Sequence, residues 1–296
     1  MSDTKNSRLL ISAAPPRSLI AGTSYTLRAI WEHRELLVLL VRRELKAKYK
    51  DSSLGFIWSL LRPLVQLVIY YVAIGKFLGA ERSIPDFAIY VFTGLTVWTL
   101  YSEIVSLSTT SIVANSGLIK KVYVPRELFP LASIGSALFN FVVQMVILVG
   151  AILIFARPPL SFALLYLPLG FVTLVAFGTM LGLLLAALNV YLRDIQHLVE
   201  VLLIVLFWAS PIVYSYQMVH RVLQGGILEQ IYLANPVTLV VLAFQKALWA
   251  GGINSGVTFP QDIGFRLLAV LGISIVLLWV SQRIFARLEG NFAQEL

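Results

Sequence analysis

The chain contains no cysteine, which removes disulfides, thiolate metal sites and cysteine nucleophiles together. Charge is scarce as well. Only 13% of residues are Asp, Glu, Lys or Arg, against about one quarter in soluble domains. His33, His197 and His220 lie too far apart to suggest a local metal motif, so no metal site is expected. No G-x-x-x-x-G-K-S/T run occurs, since Gly75-Lys76 leads into Phe77, and the chain therefore lacks a P-loop for nucleotide. H-E-x-x-H and G-x-S-x-G are missing too. The acids stand singly, which counts against a membrane glycosyltransferase or polymerase, so no catalytic residue is expected. The first forty residues are charged and carry no short apolar core with a small-residue cleavage site, so no cleavable leader is expected.

What is present is apolar. Hydrophobic residues make up 58% of 296 and mean hydropathy is +0.85, which predicts an all-α integral membrane protein. About 20 residues per spanning helix leaves room for about six or seven spans and no large soluble domain. The net charge of +8 reads as topology signals facing anionic lipid rather than as a nucleic-acid surface.

Residues 1–24 read as a flexible tail and 25–53 as an interfacial amphipathic helix, because charges close the Leu36 to Val41 run on both sides. Six transmembrane helices are expected within 54–286: about Leu54 to Leu78, Phe87 to Leu107, Leu128 to Phe155, Leu160 to Val190, Leu198 to Val219 and Phe265 to Ala286. A polar tail, 287–296, follows. Between the fifth and sixth spans, Ile231 to Trp249 is broken by Asn235-Pro236 and reads as a re-entrant helix pair, tolerable where protein covers its irregular backbone. With both termini inside, every basic residue from Lys5 to Lys50 lies inside. So do Lys120, Lys121, Arg126, Arg193, Arg283 and Arg287. Only Lys76, Arg82, Arg157, Arg221, Lys246 and Arg266 lie outside. That asymmetry predicts cytoplasmic N- and C-termini.

Ionisable groups inside spans are costly in lipid and are candidates for function. Arg62 is read either as an interior contact to an anionic substrate or as a snorkelling residue near the interface. Glu103 is a candidate partner for Arg62 or for an aqueous path. Tyr70, Trp98 and Tyr101 are candidate channel-lining rings, with an aromatic belt as the alternative. In the loop Asn115 to Arg126, Leu118, Ile119, Val122 and Tyr123 interleave with Lys120 and Lys121 between Gly117 and Pro125. This predicts a short amphipathic helix suited to docking a soluble partner or to anchoring topology.

The run Arg43, Leu45, Lys46, Tyr49, Leu54, Gly55, Trp58 and Pro63 resembles the lead into the first span of ABC-2-type permeases that export bacterial polysaccharides. Asn115 to Pro130, the set Asn189, Arg193, Asp194 and His197, and the set Ser210, Pro211 and Tyr214 resemble later family motifs in order. Asn235-Pro236 with Phe244, and Arg287-Leu288-Glu289 with Phe292, continue the series. The resemblance implies an ATP-driven exporter in the bacterial cytoplasmic membrane. It would comprise two copies of this permease and two separate P-loop ATPase subunits that carry ATP and Mg, with no cofactor on this chain. The implied substrate is a polyprenyl-pyrophosphate-linked glycan, such as O-antigen or galactan, or lipid-linked wall teichoic acid. A drug or other small hydrophobic substrate is the alternative within transport. By the same resemblance Glu32, Arg34, Arg43, Gly117, Lys120, Lys121, Tyr123 and Arg126 would couple to the ATPase. Arg43, Lys46, Lys48 and Lys50 would alternatively meet the carrier's phosphates or membrane lipid.

Overall fold

The computed structural model describes residues 19–49, 57–121, 124–155, 161–249 and 258–296. Among these, every regular element is a helix. Two helices come first, α1 (Leu19–Glu32) and α2 (Arg34–Tyr49). They replace the single interfacial helix expected from about Tyr25, and α1 starts inside the stretch read as a flexible tail. At the junction the His33 ring nitrogen Nδ1 meets the Ala29 carbonyl at 2.8 Å.

Four long apolar helices form the body: α4 (Phe87–Ala114), α6 (Leu128–Phe155), α7 (Tyr166–Tyr191) and α12 (Ile263–Leu288). Each is long and apolar enough to cross a bilayer, with α7 extended by a 3-10 turn and α12 by another. Between α4 and α6 lies one turn, α5 (Ser116–Ile119). A small-residue stripe brings α7 close to α4. A Cβ on Gly178 would fall 2.9 Å from the Ile104 side chain and one on Gly182 2.8 Å from Ser108, so larger residues would push the helices apart.

The first and fifth expected spans differ from simple helices. α3 (Ile57–Tyr70) contains Pro63 and passes into a π-helical stretch, Tyr71–Phe77. α8 (Ile195–Trp208) stops well short of Val219. Its 14 residues rise only ~21 Å, against a hydrocarbon core of about 30 Å. The chain then runs irregularly into α9 (Tyr216–Leu223).

α10 (Ile227–Ala234) and α11 (Pro236–Leu248) meet at 81°. Pro236 opens α11 where its missing N–H costs nothing, and the Asn235 side chain caps the helix by accepting from the Val237 N–H at 3.1 Å. Counting that bent pair as one span, up to five helical segments have the length and composition to cross a membrane; Pro63–Phe77 and Ile195–Trp208 are shorter apolar helices.

Two apolar cores result. The larger joins α4, α6, α7, α8 and α11. The smaller gathers Leu40 of α2, Ile112, Ile119, Phe129, Leu183, Phe285 and Phe292 at the opposite end. The final residues, read as a polar tail, fold back as a 3-10 turn and α13 (Phe292–Glu295), with Phe292 fully buried.

Candidate functional site

Three neighbouring residues of α2 reach other helices at the end that carries the smaller core. Arg43 donates to the Asn115 side chain at the end of α4. Glu44 accepts from Ser133 of α6 at 3.2 Å, and burial pushes its carboxyl above the usual carboxylate range against the pull of Ser133 and Arg43. Lys48 forms an ion pair with Glu103 of α4 at 3.0 Å. Asn140 of α6 donates to the other Glu103 oxygen at 2.7 Å. Glu103, for which Arg62 was an expected partner, therefore ties α2, α4 and α6 together. A close approach permits the contact between α2 and α6, since a Cβ on Gly135 would sit 2.7 Å from a Val41 methyl.

Of the residues read as phosphate contacts, Arg43 and Lys48 are thus engaged within the chain, while Lys46 is exposed. Lys50, Tyr123 and the side chain of Arg62 lie outside the described residues. Glu32 pairs with Arg28 at 2.8 Å on the exposed face of α1. Arg34 lies 5.5 Å from the centre of the Trp31 ring, within cation–π range.

The loop after α4 is fixed at its start by Asn115, whose amide also donates to the Ser111 carbonyl at 2.8 Å. Ile119 anchors α5 in the smaller core, while Lys120 and Lys121 are exposed and the space around Gly117 is open. At the end of the loop the Arg126 guanidinium lies 5.8 Å from the centre of the Phe292 ring. Glu127 is buried beside it. Burial pushes its carboxyl up, opposed by a hydrogen bond from Gln282 and by the charges of Arg283 and Arg126.

The rings proposed to line a passage pack on one another across the protomer interior. Tyr70 stacks on Phe207 at 5.9 Å, Phe207 meets Trp98 at 5.4 Å, Trp98 meets Tyr101 at 5.8 Å, and Tyr101 stacks on Phe177 at 6.0 Å. Tyr101 is 1% exposed and Trp98 9%, so in this conformation both fill the inside of one chain.

At the far end, the stretch between α8 and α9 carries Ser210, Pro211 and Tyr214. Its carbonyls take their donors from other helices. Pro211 O accepts from Tyr90 Oη at 3.1 Å and Gln245 Nε2 at 2.8 Å. Tyr214 O accepts from Tyr90 Oη at 2.8 Å, and Ala209 O from Thr238 Oγ1 at 3.2 Å. Buried backbone carbonyls outside regular helices need such partners. Composition alone did not single out Thr238, Ser133 or Asn140. Among the described residues, no three His, Asp or Glu side chains gather to hold a metal ion.

A family model described as ABC-2 type transporter matches residues 35–249. The chain belongs to the ABC-2 type transporter family. It is a multi-pass membrane protein, and this ABC-2 chain has named relatives along nearly its whole length. It is 28% identical over 270 residues to the O-antigen export system permease protein RfbA of Myxococcus xanthus, covering 91% of this chain and 98% of the relative. A protein of the same name from Klebsiella pneumoniae is 26% identical over 263 residues, covering 88% and 95%. The polysialic acid transport protein KpsM of Escherichia coli is 24% identical over 237 residues, covering 78% and 88%. In the ABC-2 chain, two regions named from the resemblance carry clear structural duties. Asn189 binds the Thr109 carbonyl at 3.1 Å and accepts from the Gln196 N–H at 3.2 Å, bracing the turn from α7 into α8. The Ser210-Pro211 break is the stretch whose carbonyls are served from α4 and α11.

Proposed function

We propose that this chain is the permease subunit of an ATP-driven exporter. It moves a polyprenyl-pyrophosphate-linked polysaccharide, such as O-antigen or galactan, or a lipid-linked wall teichoic acid, across the bacterial cytoplasmic membrane. The observation that carries this reading is the near end-to-end match to O-antigen export permeases. The chain has no P-loop, so ATP and Mg belong to a separate ATPase, two copies of which serve two copies of this permease.

Six spans follow from counting α3 with its π-helical extension and α8 beside the four long helices, with α10 and α11 re-entering from the outside. Charge asymmetry supports cytoplasmic termini. On this reading α2, the α5 loop with Lys120 and Lys121, and α13 share the cytoplasmic end. ATP-driven closure of the partner pushes on α5. Asn115 and Arg43 pass that push to α2, and Glu103 and Lys48 pass it between α2, α4 and α6. Lys46, which is exposed, remains for the carrier's phosphates, and by the resemblance Lys50 would join it.

Depleting the chain in its native host should make lipid-linked polymer accumulate on the cytoplasmic side while surface glycan falls. Undiminished surface glycan after depletion would sink the proposal.

A further inference from the structure

The segment Glu289–Leu296 is polar except for Ala293, Phe292 and Leu296, yet the Phe292 ring is fully buried. It meets Phe285 at 5.5 Å and Tyr191 at 6.1 Å, both edge-on. On another side it faces the Arg126 guanidinium at 5.8 Å. Leu296 packs on the same core. The Tyr191 hydroxyl donates to the Leu288 carbonyl at 2.8 Å, which fixes the point where the segment leaves α12. Arg126 and the buried Glu127 end the loop that begins at Asn115. Arg283 and Glu289 both act on this cluster from the last turns of α12 and the turn after it. The loop that carries Lys120 and Lys121 is therefore held at its start by α2, through Arg43 and Asn115, and at its end by the C-terminal segment.

We propose that the C-terminal segment is a positioning element for the α5 loop, with Phe292 as its anchor and Arg126 as the residue it holds. The proposal rests on the coupling reading above. A loop that must transmit a push needs both ends fixed, because a loop held at one end swings rather than moving its neighbours. The fixed ring supplies a flat face that an arginine guanidinium can stack on and a lysine ammonium cannot match. Phe292 touches neither substrate nor ATP.

The test uses the full permease in lipid nanodiscs and, with its ATPase partner, in proteoliposomes. Because the chain has no cysteine, Lys121→Cys gives one spin-label site per chain, read on the permease alone, while export per ATP is measured on chains that keep Lys121. Phe292→Ala is expected to increase the mobility of that label and to lower glycan exported per ATP hydrolysed by about 5-fold or more, the smaller end of typical coupling effects. Phe292→Tyr is expected to restore both. Arg126→Lys, which leaves the buried ring in place, should reproduce the increase in mobility, and it serves where Phe292→Ala fails to fold. An unchanged label in both Phe292→Ala and Arg126→Lys would overturn the proposal, as would increased mobility with export per ATP intact. Charge reversal at Lys120 and Lys121 separates the two readings. If it leaves ATPase recovery intact, docking at α5 fails, while the label on the separate Lys121→Cys chains still reports whether the segment holds the loop.

Discussion

Lys48 Nζ lies 3.0 Å from Glu103 Oε1, although 55 residues separate them, and Asn140 holds the second oxygen of the same carboxylate. Protein leaves the side chains 37% and 24% exposed, and where water reaches such a pair it contributes about 1 kcal/mol or less. Lys48→Ala and Glu103→Gln should each lower the thermal midpoint slightly, and the paired exchange Lys48→Glu with Glu103→Lys should recover most of the loss. A double-mutant cycle by thermal unfolding in detergent measures this. Additive single effects would mean that the pair carries no coupling.

Glu44 makes stability depend on pH. Burial raises its carboxyl above the usual range, so the folded chain binds a proton more readily than the unfolded one. Its contribution is most favourable below the ordinary carboxylate range and is lost as pH rises through the raised value. Glu44→Gln keeps an oxygen to accept from Ser133 and removes the charge. The midpoint of wild type should therefore drop relative to Glu44→Gln between pH 4 and the raised carboxyl range, readable by scanning fluorimetry over pH steps.

At the contact of α2 with α6, Gly135→Ala would place a methyl 2.7 Å from Val41. Overpacking of this kind costs about 1–3 kcal/mol. Val41→Ala in the same chain should relieve it, so the double variant is expected to be more stable than Gly135→Ala alone. Equal midpoints would show that α2 gives way without strain.

Pro211 O accepts from Gln245 and shares the single Tyr90 hydroxyl proton with Tyr214 O. Gln245→Met leaves Tyr90 in place and should cost little. Tyr90→Phe also takes the donor from Tyr214 O and should cost about 1–3 kcal/mol. Together they strip Pro211 O of both partners, so the combined loss should exceed the sum. Chemical denaturation of the two singles and the double decides this.

Lys120 and Lys121 stand exposed beside the anchored Ile119. On the proposed coupling, reversing both charges should lower the amount of ATPase that copurifies with the permease several-fold while the permease's own midpoint stays within about 2 °C, as for surface changes that break no packing.

Hydropathy alone was enough to read α4, α6, α7 and α12, because long apolar helices leave a signal in every window. It misplaced the end of α8. Ser210-Pro211 is followed by Ile212 and Val213, which keep the run apolar after the helix has stopped, and what permits the break is a set of donors on α4 and α11. The α10 and α11 bend was legible, since Asn235-Pro236 is a local cap signal. Long-range ties were not. Nothing in one sequence joins Lys48 to Glu103 or Glu44 to Ser133. A single Phe in a polar segment also carries too little hydropathy to announce that the segment is docked. Tyr70, Trp98 and Tyr101 were singled out by type and position, and only packing revealed that Phe207 links Tyr70 to the Trp98–Tyr101 pair.

That ring-on-ring file has a consequence for where a polymer can pass. Threading a glycan through the middle of one chain would mean prying apart Tyr70, Phe207, Trp98, Tyr101 and Phe177, and each of those four contacts is worth about 0.5–1.5 kcal/mol beyond its buried area. A seam between two copies requires no such unstacking. On the proposed function, the bundle would act as a solid pillar and the doorway would be the gap beside it.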